Sequence, residues 1–197
     1  MVAVEKITNE NFEDLIFQSE NPVHGLNIFP PYVAKFEKVS YEQFKKDMLK
    51  LNANLTNEKI KGIYDNIQLP KRSTIGSAGY DFFLPFEVVL RENRGVVIPT
   101  GIRCKIRPDW MLKLYPRSGQ GFKYGLSFYN TVPIIDSDYY NTENEGHIML
   151  KLTIKEGYQT FEAGTKICQG IFEQYGITID DEVSSVRTGG LGSTGEK

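Results

Sequence analysis

The chain has 197 residues, 40% of them hydrophobic and 24% charged, with a formal net charge of −2. That suffices for one cored domain with an appendage and excludes a basic field able to hold nucleic-acid polymers, so a phosphate ligand must be gripped by local groups. No run is long enough to span a membrane, no signal peptide is evident, and neither Cys104 and Cys168 nor His24 and His147 have metal-ligand spacing. The expected setting is cytoplasmic, with both cysteines as buried free thiols. Residues 1–30 carry no readable pattern. After Pro30-Pro31, residues 32–39 read as a strand. Ser40 with Gln43 reads as a capping box, and Tyr41, Phe44, Met48 and Leu51 follow at helical spacing as one apolar stripe. Thr56 can cap a second helix that turns Ile60, Ile63, Tyr64 and Ile67 inward. Residues 1–63 are therefore expected to be an extension with two short helices, serving packing, oligomer contact or a regulatory protein partner.

From Leu69-Pro70 onward the pattern changes to short β segments. Strands are expected at Tyr80–Phe83, 86–90, 96–98, Ile102–Ile106, 111–115, 126–129, 148–154 and 167–175, with glycine, proline and asparagine between them. Many short strands at close spacing predict an all-β barrel or sandwich over residues 64–179. Residues 180–197 form a polar, glycine-rich arm expected to order on ligand.

That arm contains Gly189-Gly190-Leu191-Gly192-Ser193-Thr194-Gly195. By its letters Gly190 to Gly195 fits GxGxxG, but a dinucleotide site needs a strand before and a helix after, and only Glu196 and Lys197 follow. Small residues and two hydroxyls still suit backbone contact with phosphate, so the arm is expected to close over a site assembled elsewhere. Pro116-Arg117-Ser118-Gly119, at a strand end, can cradle an oxyanion. In Asn130-Thr131-Val132-Pro133-Ile134-Ile135-Asp136-Ser137-Asp138-Tyr139, an extended backbone would put Asp136 and Asp138 on one side, where a carboxylate can activate water. Ser77-Ala78-Gly79-Tyr80-Asp81 adds an acid beside a tight glycine, and Gly164-Thr165-Lys166-Ile167-Cys168-Gln169 sends a glutamine into an apolar strand. Each segment alone reads better as an ordinary turn or strand entry than as a site.

Taken in order, these segments, led by Leu69-Pro70-Lys71-Arg72 and with Pro99-Thr100-Gly101-Ile102 between them, resemble the motifs of the trimeric deoxyuridine triphosphatases (dUTP nucleotidohydrolases), of a bacterial or phage type with an N-terminal extension. The resemblance covers residues 64–197. It implies a distorted jelly-roll β-barrel, a homotrimer with sites at subunit interfaces, and Mg²⁺-dependent hydrolysis of dUTP to dUMP and pyrophosphate. Carried over residue by residue, it makes Asp136 the group that deprotonates a water attacking the α-phosphorus, and lets Asp81 touch Mg²⁺ through water while the triphosphate holds the ion. Arg117, Ser118, Gly119 and Gln169 would hold the phosphates, and Arg187, Gly192, Ser193 and Thr194 would close on them. The hairpin through Asn130, Ile134, Ile135 and Asp136, with Met149, would select uracil, and Tyr139 would pack under the deoxyribose and exclude a 2′-hydroxyl.

Four departures stand out. After Tyr139 the usual Tyr-Arg-Gly-Glu is replaced by Tyr140-Asn141-Thr142-Glu143-Asn144-Glu145-Gly146-His147, read as a surface loop. Lys166 stands where arginine is common, and Pro133 where glycine is. Leu191 replaces the phenylalanine that covers uracil, which predicts weaker closure and a lower rate. The competing readings are a nucleotide-sensing regulatory protein on the same fold and a dCTP deaminase; the Asp136–Tyr139 pattern favours the hydrolase.

Overall fold

The computed structural model describes residues 31–185 and 187–189. Its elements, in chain order, are β1 (Ala34–Lys38), α1 (Tyr41–Leu51), α2 (Asn57–Asp65), β2 (Lys71–Arg72), β3 (Tyr80–Phe83), β4 (Val88–Arg91), β5 (Val96–Pro99), β6 (Ile102–Ile106) and β7 (Trp110–Pro116). There follow α3 (Ser118–Tyr124), β8 (Ser127–Phe128), β9 (Ile134–Ile135), a 3₁₀ turn (Ser137–Asn141), β10 (Met149–Thr153), β11 (Tyr158–Phe161) and β12 (Lys166–Gln174). The strands pair antiparallel in four sheets, ordered β1-β6, β5-β10-β8, β11-β4 and β2-β3-β12-β7-β9. This is the expected all-β, jelly-roll-like fold. The sheets wrap one core without closing into a continuous barrel ladder among the described residues.

Alternation builds that core. In β6 the buried side chains are Ile102, Cys104 and Ile106, and in β10 they are Leu150 and Leu152, with the residues between them turned outward. Phe82, Leu112, Leu114 and Ile167 complete the centre, each contributing about 1.5–3 kcal/mol on burial. Both cysteines are buried and free, and burial pushes both thiols up.

The helices join the same core. Ser40 Oγ accepts from Gln43 N–H at 3.1 Å and opens α1, and Thr56 Oγ1 accepts from Lys59 N–H at 3.3 Å and opens α2. Glu42 in the first turn and Lys50 in the last complement the helix dipole of α1. Phe44, Met48 and Ile60 are buried with the barrel residues, and β1 pairs with β6 so that Phe36 faces Cys104. The expected boundary after residue 63 thus falls inside α2, with Ile60 and Ile67 in one core on either side of it.

The capping box is completed differently from the expectation. Gln43 does not reach back to Ser40; its amide donates to Asp47 Oδ2 at 2.6 Å. Glu145 takes its place, accepting from Ser40 N–H at 2.7 Å and from Ser40 Oγ at 2.6 Å. A carboxylate from the loop after Tyr139 therefore caps the helix of the N-terminal segment.

Candidate active site

Asp81, Arg117 and Gln169 meet where β12 lies between β3 and β7. Gln169 stands opposite Asp81 on one side and Tyr115 on the other. Asp81 is buried, and its carboxylate receives Arg117 Nε at 2.9 Å, Lys166 Nζ at 2.9 Å and Ser73 Oγ at 2.8 Å. Burial alone would raise its carboxyl, but the bonds from Lys166 and Ser73 and the charge of Arg117 hold it below the usual carboxylate value. Asp81, Arg117, Gln169 and Ser73 line a cleft with Ser77, Gly79 and Ser118, and Lys166 reaches its edge through Asp81 and Ser73. Gly79 has a steric reason: a Cβ there would lie 2.4 Å from Gln169 Oε1. Arg117 also opens α3, whose first-turn N–H groups, including those of Ser118 and Gly119, have no partner within the helix. Two cations against one carboxylate leave this cleft net positive, as a phosphate chain requires.

A second group gathers on the hairpin after β8. Asn130 and Ile134 are exposed, Thr131 adopts φ 67°, and Ile135 packs inward opposite Leu112. Asp136 then caps the 3₁₀ turn, so the backbone is not extended to Asp138 as alternation assumed. The turn nevertheless keeps both acids together: Arg187 Nη1 lies 2.8 Å from Asp136 Oδ2 and 3.2 Å from Asp138 Oδ1. The guanidinium also stands over the ring of Tyr139, 5.4 Å from its centroid. Tyr139 is buried, and its hydroxyl donates to the His147 carbonyl at 2.9 Å. Met149 begins β10, half-buried, opposite Pro99. Leu191, Gly192, Ser193 and Thr194 lie outside the described residues.

No hydrogen bond or ion pair among the described residues joins the two groups. Ile135 opposes Leu112, so the antiparallel chain carries Asp136 toward Met111, at the opposite end of β7 from Arg117. The strand between Met111 and Arg117 spans roughly 20 Å at about 3.3 Å per residue.

Sequence reasoning left Ser73 and Lys166 off the set of site residues. Lys166 was visible as a motif residue, whereas Ser73 reaches Asp81 only because β2 folds back on β3. His147, which stood alone in the sequence, is fully buried, with Nδ1 2.8 Å from Asp47 Oδ2.

The dUTPase family model matches residues 65–195. The chain belongs to the dUTPase family. It is 38% identical over 133 residues to the deoxyuridine 5'-triphosphate nucleotidohydrolase of Lactococcus lactis, covering 66% of this chain and 89% of that one. Among solved structures it is similar to the dUTPase of Streptococcus mutans, with a TM-score of 0.55 and 30% identity over 74% of this chain and 98% of that chain. A dUTPase from phage phi11 of Staphylococcus aureus, described with a structural Mg(II) ion, shares the fold at a TM-score of 0.54 and 17% identity, covering 78% of this chain and 98% of that one. The family match thus starts at the last residue of α2, and β1, α1 and the rest of α2 precede it while sharing its core.

Proposed function

We propose that this chain hydrolyses dUTP to dUMP and pyrophosphate. The observation that carries the reading is the Asp136–Tyr139 turn: a half-exposed carboxylate beside a buried aromatic ring whose hydroxyl is held, in a chain of the dUTPase family. The uracil edge meets the backbone of residues 130–136 and Met149, where cytosine would leave buried donors and acceptors unmatched. The deoxyribose lies on Tyr139. The phosphates lie in the net-positive cleft of Arg117, Lys166, Ser118, Gly119 and Gln169. Asp136 takes a proton from water as the water oxygen bonds to the α-phosphorus. The bond from that phosphorus to the bridging oxygen breaks, and pyrophosphate leaves with the electron pair. Positioning and charge complementarity supply most of the rate.

Mg²⁺ fits this cleft as a phosphate-borne ion. Among the described residues no three His, Cys, Asp or Glu side chains converge, and Asp81 is already engaged by Arg117, Lys166 and Ser73. Asp81 would therefore touch the ion through water. Bound Mg²⁺ would neutralise charge on the leaving phosphates.

The separation of Arg117 from Asp136 within one chain supports a site shared between copies. We propose the homotrimer of the family, in which Arg187, here held by Asp136 and Asp138 of its own chain, would leave them as the arm closes on the phosphates of a neighbour's site. Leu191, in place of the family's phenylalanine, would cover the base without stacking. No helix among the described residues is long and apolar enough to cross a membrane.

The test is pyrophosphate release from dUTP, dCTP, dTTP and UTP, with and without Mg²⁺. Release from dUTP alone, dependent on Mg²⁺, is expected. Asp136→Asn is expected to bind dUTP and not turn it over. Nucleotide binding without release by the wild-type chain would overturn the hydrolase reading, and normal turnover by Asp136→Asn would remove Asp136 from its role.

A further inference from the structure

We propose that α1 sets the sugar side of the nucleotide pocket, with Asp47 acting through His147 as a positioning residue for Tyr139. This rests on the reading of Tyr139 as the deoxyribose platform.

The connection is continuous. Asp47 is buried on the apolar face of α1. Its Oδ2 accepts from His147 Nδ1 at 2.8 Å and from Gln43 Nε2 at 2.6 Å, and its Oδ1 accepts from Lys50 Nζ at 2.9 Å. The other ring nitrogen, His147 Nε2, accepts from Gly101 N–H at 2.8 Å. These partners assign the neutral ring with its proton on Nδ1. Both edges of His147 are therefore fixed, one by α1 and one by the turn between β5 and β6. The main chain of the same residue holds Tyr139, whose hydroxyl donates to the His147 carbonyl at 2.9 Å and accepts from Asn144 Nδ2 at 2.8 Å. Shifting His147 shifts the acceptor that sets the ring.

Two further contacts tie the loop after Tyr139 to the N-terminal segment. Tyr140 Oη donates to Glu37 Oε2 at 2.6 Å, and Glu145 caps Ser40. Arg103 of β6 sits 3.6 Å from the centroid of the Tyr140 ring and pairs with both Glu37 and Glu145. The N-terminal segment, which precedes the family match, and the loop replacing Tyr-Arg-Gly-Glu are thus each other's partners. Burying a carboxylate costs more than an apolar brace would, and what it adds is direction.

The experiment compares wild type with Asp47→Ala, Asp47→Asn and Met48→Ala, measuring kcat and KM for dUTP and UTP at a temperature where circular dichroism shows each folded. Asp47→Ala is expected to raise the dUTP KM by about three- to ten-fold and to shrink the preference for dUTP over UTP by a similar factor, with kcat within about two-fold. Asp47→Asn, whose amide oxygen still accepts from His147, is expected to recover most of both. Met48→Ala loosens the same helix through the core and is expected to keep the wild-type KM and preference. If Asp47→Ala does not fold, Glu145→Ala at the rim of the junction reads the same effect at smaller size. Wild-type KM and preference in the folded Asp47→Ala chain, or in Glu145→Ala where that stands in, overturn the proposal; so does the same change in Met48→Ala. A wild-type chain that releases no pyrophosphate from dUTP overturns the hydrolase reading and this inference together. An active wild type with an unaffected Asp47→Ala overturns this inference alone.

Discussion

Asp47 accepts three side-chain hydrogen bonds in a place that water hardly reaches. Burial alone would push its carboxyl up, but the bonds from His147, Lys50 and Gln43 outweigh it and hold the group well below the usual carboxylate range. A depressed carboxyl contributes stability that is present above its unfolded value, about 3.9, and lost as pH falls through the folded value. Asp47→Asn is therefore expected to unfold about 1–3 kcal/mol more easily near neutrality. In denaturant titrations across pH, that gap should narrow below about pH 4; a gap that widens in acid would contradict the assigned sign. Half of this feature was legible. Asp47 stands three residues after Phe44, on the helix's apolar stripe, and a charge there calls for a buried partner. The partner lies 100 residues away and leaves no spacing signal. Asp81, Arg117 and Gln169 were legible because each sits in a local motif, whereas Ser73 reaches them only through the fold.

At the scale of elements, α1 and α2 were readable because caps and apolar periodicity coincide, and most strands because short β-rich runs end at glycine, proline and asparagine, with alternate burial clear in β4, β6, β7 and β10. α3 was missed for a physical reason: it buries no side chain and carries two glycines in seven residues, so neither periodicity nor propensity marks it. β11 buries only Phe161 and likewise shows no alternation of apolar residues. The loop after Tyr139, expected at the surface, instead holds buried Thr142, Gly146 and His147. Gly146 is its tightest point. It adopts φ 66°, and a Cβ would lie 2.7 Å from Tyr140 Cα and 2.9 Å from the Tyr139 carbonyl oxygen, backbone that cannot swing aside. Gly157 has nearly the same φ, 67°, with nothing within 4 Å. Gly157→Ala should therefore cost only the left-handed strain, roughly 1 kcal/mol, and Gly146→Ala about 1–3 kcal/mol more. Thermal unfolding of the two variants compares them directly. Equal losses would mean that the loop yields, and that its grip on Tyr139 is soft.

At the scale of the whole molecule, the distance along β7 carries the argument. Arg117 and Asp136 lie at opposite ends of one strand, roughly 20 Å apart, too far for one chain to hold a phosphate with the first and activate water on it with the second. The proposed ring of copies would remove the difficulty by placing the Arg117 cleft of one chain against the Asp136 turn of the next. Two inactive variants should then repair each other. Arg117→Ala lacks the cleft arginine but keeps Asp136, and Asp136→Asn keeps the arginine and lacks the base. Unfolded together in equal amounts and refolded, they give rings of mixed composition. In every mixed ring of three, one junction joins an intact Arg117 to an intact Asp136, and roughly three rings in four are mixed, so roughly a quarter of wild-type dUTP hydrolysis should return. Each variant refolded alone should stay inactive. If the mixture is as inactive as its parts, while size-exclusion chromatography shows assembled rings, then both groups serve a site within one chain and the strand separation must be bridged by another route.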